Sequence, residues 1–201
     1  IEGMVLGIDD YQNPDTLYEQ ALIQNFKKNY NDAITYLEQA YKLYLEEKQT
    51  IGAIRCLIEL GWQRYNHHHH NDGQAVANRL FSEAESMIEG QANVPGMNDL
   101  RARLLHYKGL VKYREGEYGQ GLMYFKQSKT FCTPGSMDGA KLSDSMAVHH
   151  ERVGDFHKAY RELEMSLKTK QDLNVIWEEA ITSQILGKLY LIQEEYGIAH
   201  K

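Results

Sequence analysis

An internal repeat with a period near 40 residues constrains this chain more than any other feature of its sequence. Five segments begin with a small residue; in the first four an aromatic residue or Leu follows four positions later and a second small residue three positions after that. They begin at Ala33, Ala77, Gly121, Ala159 and Ala199, with spacings of 44, 44, 38 and 40 residues. Spacings of three and four put such side chains on one face of a helix. The repeat therefore predicts a row of stacked helical units.

A second helical pattern precedes each segment and carries a small residue of its own. These residues are Ala21, Gly61, Gly109, Ala147 and Gly187. Because glycine inside a helix costs about 1 kcal/mol relative to alanine, its recurrence predicts that two helices approach closely at this point. Pro14, Pro95 and Pro134 fall ahead of three of these helices, where a missing N–H does no harm. Each repeat is thus predicted to be a helical hairpin.

These residues resemble the tetratricopeptide repeat (TPR), which has a Leu-Gly pair in its first helix, Gly and Tyr at the turn, and Ala, an aromatic residue and Ala in its second helix. The third segment matches best, with Gly109, Gly116, Tyr118, Gly121 and Phe125. The resemblance covers roughly residues 15–201. The repeats are longer than the standard 34 residues and are similar to the extended repeats of kinesin light chains and bacterial signalling regulators. The resemblance implies an all-α fold, a right-handed superhelical solenoid of antiparallel hairpins with about four and a half repeats.

The predicted organisation has two parts. Residues 1–13 are a leader or the end of a preceding element, and residues 14–201 form the TPR-like solenoid, whose last hairpin is truncated. The predicted helices are 15–27, 30–46, 49–66, 74–89, 98–115, 118–131, 137–152, 156–169, 173–193 and a further one starting at 196.

Composition narrows the classes of partner. A net charge of −6 and a pI near 5.8 argue against nucleic acid, because binding phosphates needs a basic surface. No apolar run approaches the roughly 20 residues of a membrane-spanning helix, and the first residues lack the pattern of a signal peptide. Two cysteines, Cys56 and Cys132, are too few for a disulfide framework. We therefore expect a cytoplasmic protein without a membrane partner.

The sequence offers little for catalysis. It contains no nucleophile elbow, no phosphate-cradling loop and no persuasive pairing of nucleophile and base, so we predict no enzymatic activity, no catalytic residue and no cofactor. The tetrad His67–His70 suggests a metal site, since imidazole is a common metal ligand. Adjacent histidines on an irregular loop cannot all face one ion, and no Cys or Glu follows at a suitable spacing. We predict a solvated loop insertion, with metal-dependent activity as a weaker alternative.

Candidate binding residues follow from the resemblance, which implies a concave face lined by the first helices. Position two of three consecutive hairpins holds a cation: Arg55, Arg103 and Lys141. The predicted partner-binding set is Arg55, Trp62, Tyr65, Arg103, His106, Tyr113, Arg114, Lys141 and Arg152. Arg, Trp and Tyr dominate binding hot spots, and Arg suits carboxylates. The set suggests an acidic or carboxylate-bearing peptide; the alternative is that these cations are solvated or paired with acidic neighbours.

The function predicted from these residues is a non-catalytic protein–protein interaction scaffold that binds a peptide or helix in its concave groove. The alternative is a sensory or regulatory TPR domain of a larger signalling protein or enzyme whose effector domain lies outside this chain. Members of the family that bind chaperone tails have Lys and Asn where this sequence has Tyr18 and Leu22, which disfavours that ligand.

Overall fold

The structure is a computed structural model that describes residues 13–67 and 72–199, with side chains as far as residue 193. Within these ranges the chain is built of α-helices joined by short turns, so the all-α prediction is confirmed. Residues 1–12 of the predicted leader lie outside the described ranges. The helices are α1 (Pro14–Phe26), α2 (Tyr30–Glu46), α3 (Thr50–His67), α4 (Gly73–Glu89), α5 (Met97–Arg114), α6 (Tyr118–Phe131), α7 (Met137–Arg152), α8 (Phe156–Asp172) and α9 (Ile176–Ala199).

Consecutive helices pair as hairpins: α1 with α2, α3 with α4, and α7 with α8. Gly109 of α5 and Phe125 of α6 show the same pairing in the third hairpin. The chain divides into two compact units, Ile1–Leu104 and Leu105–Lys201. One buried cluster of the first unit includes Leu17, Leu37 and Tyr44, and Ala147, Leu163 and Leu189 share a cluster in the second unit. Of these residues, Leu37, Ala147 and Leu163 are positions of the sequence repeat, and all three are buried.

Helix α9 differs from its prediction. The sequence pattern predicted a turn after residue 193 and a new helix from 196, but α9 runs without a break from Ile176 to Ala199. The predicted boundary is wrong because residues 193–196 read Gln-Glu-Glu-Tyr, which contains no proline, glycine or capping residue to end a helix. The second helix predicted for the fifth hairpin therefore does not begin within the described residues.

Five helices end in one kind of turn. The residue after the C-cap has a positive φ in each case: Lys28 (64°), Lys48 (58°), Gly116 (84°), Gly154 (77°) and Asn174 (54°). The following amide then donates to a carbonyl five residues earlier, as Gln49 N does to Tyr44 O at 2.8 Å and Glu117 N does to Lys112 O at 2.9 Å. This geometry satisfies the last carbonyls of each helix.

The predicted close approach at the recurring glycines is confirmed at two positions. A Cβ on Gly61 would lie 2.5 Å from the Phe81 ring, and one on Gly109 would lie 2.6 Å from the Phe125 ring. At Gly187 no described atom lies within 4 Å of such a Cβ, so the described residues do not test the prediction there. A phenylalanine ring therefore packs against this glycine in the second and third hairpins, whereas the corresponding glycine of α9 has no close neighbour among the described residues.

Candidate peptide-binding surface

All nine predicted binding residues lie on first helices, namely α3, α5 and α7. The first unit contains Arg55, Trp62, Tyr65 and Arg103, and the second unit contains His106, Tyr113, Arg114, Lys141 and Arg152. The described helices include none with the length and apolar composition needed to cross a bilayer. What each predicted residue can do depends on its burial and its neighbours.

Two arginines of the first unit form a polar cluster with two residues that sequence reasoning left out. The Arg55 guanidinium carbon lies 4.2 Å from the centroid of the Tyr18 ring. Arg103 Nη1 lies 3.8 Å from Glu59 Oε1. Tyr18 and Glu59 are buried, whereas both arginines are half-buried. We name Tyr18, Arg55, Glu59 and Arg103 the first polar cluster.

The electrostatics of this cluster are mixed. Burial, and then the Glu59 carboxylate, raise the pKa of Tyr18 to about 12, although Arg103 and Arg55 act in the opposite direction. Tyr18 therefore keeps its proton at neutral pH and remains a hydrogen-bonding phenol. The cluster contains two guanidinium groups and one carboxylate, and Arg103 lies beside that carboxylate.

Trp62 and Tyr65 lie together at the carboxyl-terminal half of α3. Their ring centroids are 6.3 Å apart with planes 19° from parallel, and both side chains are half-buried. Arg64, between them in sequence, donates from Nη2 to Glu38 Oε1 of α2 at 2.6 Å. The two rings thus offer a partly exposed aromatic surface of the kind that anchors peptide side chains.

Lys141 is the cation at position two of the hairpin in the second unit. Its ammonium lies 2.9 Å from Glu178 Oε1 of α9 and 5.8 Å from the centroid of the Trp177 ring. Glu178 is buried, whereas Trp177 keeps 49% of its surface exposed. Within the described residues, no second helix of the fifth hairpin covers α9.

His106 lies beneath the surface rather than on it. The residue is 6% exposed, its Nε2 lies 2.8 Å from Ser145 Oγ of α7, and its ring meets Phe125 edge-on at 5.7 Å. The imidazole ties α5 to α6 and α7. His106 therefore supports the first helices and presents little surface to a partner.

Tyr113, Arg114 and Arg152 lie at the carboxyl-terminal ends of α5 and α7. The Arg152 guanidinium carbon lies 3.9 Å from the centroid of the Tyr118 ring. Tyr113 donates from its hydroxyl to the Val148 carbonyl at 3.3 Å. Burial raises the pKa of Tyr113, with Arg152 acting in the opposite direction. Arg114 and Arg152 are exposed, so cations are accessible at this end of the second unit.

The sequence contains a partial signal for the residues that contact these cations. Glu59 follows Arg55 by four positions, the spacing of neighbours on a helix face, and could have been noticed. Tyr18, Tyr118 and Glu178 come from other helices than the cations they meet. Periodicity fixes the face that a residue occupies but not which residue of another helix lies opposite.

The structure describes only part of the histidine tetrad, which the sequence predicts to be a solvated loop insertion. His67 stacks on Tyr30 of α2, with ring centroids 3.4 Å apart, and His68–His70 lie outside the described residues. Within the described part of the chain, no group of three or more His, Cys, Asp or Glu side chains is arranged to hold a metal ion.

A cavity of about 300 Å³ lies in the second unit, where the α6–α7 connection meets α7 and α8. Its polar wall includes Ser136, whose Oγ accepts from Gly139 N at 3.1 Å and caps α7. Lys129 at its edge is engaged by Glu162 at 2.8 Å. These groups serve the fold, and the cavity shows no arrangement of nucleophile and base.

The sequence matches no protein-family model and no curated protein. Several solved structures share its fold, including the following two. The Rap conjugation gene regulator of the plasmid pLS20, determined in complex with the Phr* peptide, superposes with a TM-score of 0.73 and 15% identity over 96% of this chain and 54% of its own. Aspartyl phosphate phosphatase F from Bacillus subtilis superposes with a TM-score of 0.64 and 18% sequence identity. The match covers 96% of this chain and 49% of the phosphatase. The chain thus has a TPR-like solenoid fold and spans about half the length of these proteins.

Proposed function

We propose that this chain is a non-catalytic scaffold that binds a peptide, with an acidic or carboxylate-bearing one favoured, on the first helices of its first unit. The observation that carries the proposal is the first polar cluster. It places Arg55 and Arg103, from two successive first helices, over the buried Tyr18 and Glu59. The similar Rap regulator was determined with a bound peptide, which supports this class of ligand.

The present contacts of Arg55 and Arg103 determine how a ligand carboxylate would bind. Arg103 is already opposed by Glu59 at 3.8 Å, so a ligand carboxylate has to compete with a resident one. The Arg55 guanidinium stacks on the Tyr18 ring, which holds the flat group in place. A held guanidinium loses less freedom when it binds a carboxylate, which favours affinity. Trp62 and Tyr65, on the same helix as Arg55, would supply apolar anchoring.

We also propose that the repeats belong with the extended TPRs of bacterial regulators and act in the cytoplasm as a regulatory domain. The two similar structures support this subclass over kinesin light chains, because one is a regulator by name and the other a phosphatase. The second candidate function is a regulatory domain of a larger protein. It is supported by the length of the two similar proteins, because the region matched by this chain is about half of each protein.

The test uses a synthetic array of short peptides that vary in charge and carry a free carboxyl terminus. Purified chain is applied to the array, and the best binders are measured by fluorescence anisotropy with wild type, Arg55→Gln and Arg103→Gln. A charge-assisted hydrogen bond contributes about 1.5–3 kcal/mol, so each variant should bind roughly ten-fold or more weakly.

Lys42→Gln is the matched control. Lys42 is an exposed cation of α2, a second helix, and its nearest acidic atom is Glu46 Oε1 at 3.9 Å. Removing its charge changes the net charge of the protein equally but leaves the first polar cluster intact. If Lys42→Gln weakens binding as much as Arg103→Gln, the first polar cluster is not the site.

A further inference from the structure

Helix α6 is shorter than the second helices of the other hairpins. It has 14 residues, whereas α2, α4 and α8 have 17 each. The helix ends at Phe131, and the backbone of Cys132 is already extended, with a ψ of 133°. Pro134 explains the early end, because a proline ring disfavours the helical conformation of the residue before it. Helix α6 therefore lacks nearly one turn that the other three helices contain.

The cavity of about 300 Å³ lies at this end of α6. The buried part of its lining comes from α7, where Ala140, Leu142 and Ser143 are each 6% exposed or less. Met165 and Thr169 of α8 line it as well. Pockets that bind small molecules have volumes from about 300 Å³ upwards, and an apolar cavity of about 150 Å³ accepts benzene. The volume therefore suits a small organic molecule and is too small for a peptide or a helix.

Ser143 gives the cavity a polar group that the fold does not use. The residue is 6% exposed and lines the cavity, and its hydroxyl makes no hydrogen bond to a described residue. Ser136, the other serine of the lining, differs because its Oγ accepts from Gly139 N at 3.1 Å and caps α7. Buried polar side chains ordinarily have a hydrogen-bond partner. The Ser143 hydroxyl is therefore available to bind a ligand.

The charges around the cavity favour an uncharged ligand. Among the described lining residues, Lys129 alone carries a charge, and its Nζ lies 2.8 Å from Glu162 Oε1. A charged ligand would lose its water without gaining an unpaired counter-charge, which costs free energy. The side chains of Leu142, Ala140 and Met165 instead offer apolar contacts.

We propose that this cavity binds a small, uncharged and mainly apolar molecule that carries a hydroxyl or carbonyl group hydrogen-bonded to Ser143 Oγ. Such a ligand would contact α7 and α8 and the end of α6, so it would join the third hairpin to the fourth. A molecule that binds only the folded chain stabilises it by mass action. The site lies in the second unit and does not involve the first polar cluster, so it does not depend on the proposed peptide function.

Cys132 provides the measurement, because its thiol lines the cavity. The second cysteine, Cys56, has no exposed surface, and burial raises its pKa to about 12, so it does not react at neutral pH. The rate at which iodoacetamide alkylates Cys132 is followed by mass spectrometry at increasing concentrations of indanol, a neutral bicyclic alcohol. We expect indanol to slow the reaction saturably, with a Kd below about 1 mM, and to raise the Tm of the chain.

Two matched probes test the chemistry of the ligand. Indane has the same rings without the hydroxyl and should bind roughly three- to ten-fold more weakly than indanol, because it cannot bond to Ser143. Indane carboxylate is charged at neutral pH and should not protect Cys132. Ser143→Ala should weaken the binding of indanol by the same three- to ten-fold and leave that of indane unchanged.

Two further variants separate the site from general effects on the fold. Ser183→Ala removes an exposed hydroxyl of α9 and should leave the binding of indanol unchanged. Thr169→Phe places a ring in the cavity, so indanol should no longer raise the Tm of this variant. No saturable protection of Cys132 below about 10 mM indanol would overturn the proposal. Equal binding of indanol by Ser143→Ala and wild type, or equal binding of indanol and indane carboxylate, would overturn it as well.

Discussion

Lys170 Nζ of α8 lies 2.6 Å from Asp144 Oδ2 of α7, and the Lys170 side chain has no exposed surface. The ammonium also donates to Thr182 Oγ1 of α9 at 2.7 Å and lies 3.4 Å from Glu178 Oε2. Three helices of the second unit therefore meet at one buried cation. A buried ammonium keeps its charge only when acidic and hydrogen-bonding partners compensate for the lost water.

Replacing Lys170 with Met should lower the free energy of unfolding by about 3–5 kcal/mol, because Asp144 would remain buried without its counter-charge. Urea denaturation followed by circular dichroism measures this loss. Lys158→Met is the control, since Lys158 pairs with Asp155 on the exposed surface and such pairs contribute about 0–1 kcal/mol. Similar losses in the two variants would contradict a special role for the buried cation.

The sequence predicted the helices on which Lys170 and Asp144 lie but not their meeting. Period and residue size identify apolar faces, and a lysine in a polar stretch is ordinarily expected to be solvated. Its burial depends on Asp144, Thr182 and Glu178 arriving from two other helices. A contact of this kind is a tertiary property that no single helix pattern carries.

The helix-ending turns give a second prediction. Lys48 holds a φ of 58°, a conformation that costs an ordinary residue about 1–2 kcal/mol and glycine almost nothing. Lys48→Gly should therefore raise the free energy of unfolding by up to about 1 kcal/mol. Gly116→Ala, at the equivalent turn with a φ of 84°, should lower it by about the same amount. Thermal unfolding of both variants measures the signs, and the same sign in both would contradict this reading.

Sequence reasoning recognised the turn glycine at Gly116, but Lys28, Lys48 and Asn174 adopt the same conformation without that signal. The penalty for a lysine in this region is small beside the packing of two helices, so tertiary contacts override it. Helix bounds were predictable for most elements because capping and period agree. The predicted bound was wrong at the end of α9. There the repeat spacing predicted a turn, but the sequence contains no residue that would break the helix.

For the candidate site, the sequence predicted which helices carry the residues but not their burial or their ion pairs. All nine residues lie on first helices, as the register indicated, yet His106 is buried and Arg103 and Lys141 face Glu59 and Glu178. Pairing with acidic neighbours was the alternative that the sequence left open. The structure supports that alternative for these two cations and leaves Arg114 and Arg152 exposed.

His149 predicts a dependence of stability on pH. It is 6% exposed, its Nδ1 has no hydrogen-bond partner among the described residues, and burial, then His150, lower its pKa. Because the folded-state pKa lies below the ordinary 6.5, the unfolded chain binds the proton more readily. Stability from this residue is fully present above pH 6.5 and falls as the pH drops towards the folded-state value.

The pH prediction is measured with urea midpoints at pH 7.5 and 5.5. His149→Leu should lose less stability between these values than wild type, because the buried group that resists protonation is gone. The exposed His157, replaced by Gln, is the control and should leave the dependence unchanged. An equal pH dependence in His149→Leu and wild type would assign the effect to other groups.

Glu59 tests which charge of the first polar cluster a ligand meets, and this prediction rests on the proposed peptide function. Glu59→Gln keeps the shape of the buried side chain and removes the carboxylate that opposes Arg103 at 3.8 Å. An acidic peptide should then bind roughly three- to ten-fold more tightly, because it no longer competes with a resident anion. Glu38→Gln is the control: it removes the exposed carboxylate that pairs with Arg64 at 2.6 Å. It should change the affinity by less than two-fold. Weaker binding of the same peptide by Glu59→Gln would contradict this prediction. It would mean that the Glu59 carboxylate holds Arg103 in position for the ligand instead of competing with the ligand.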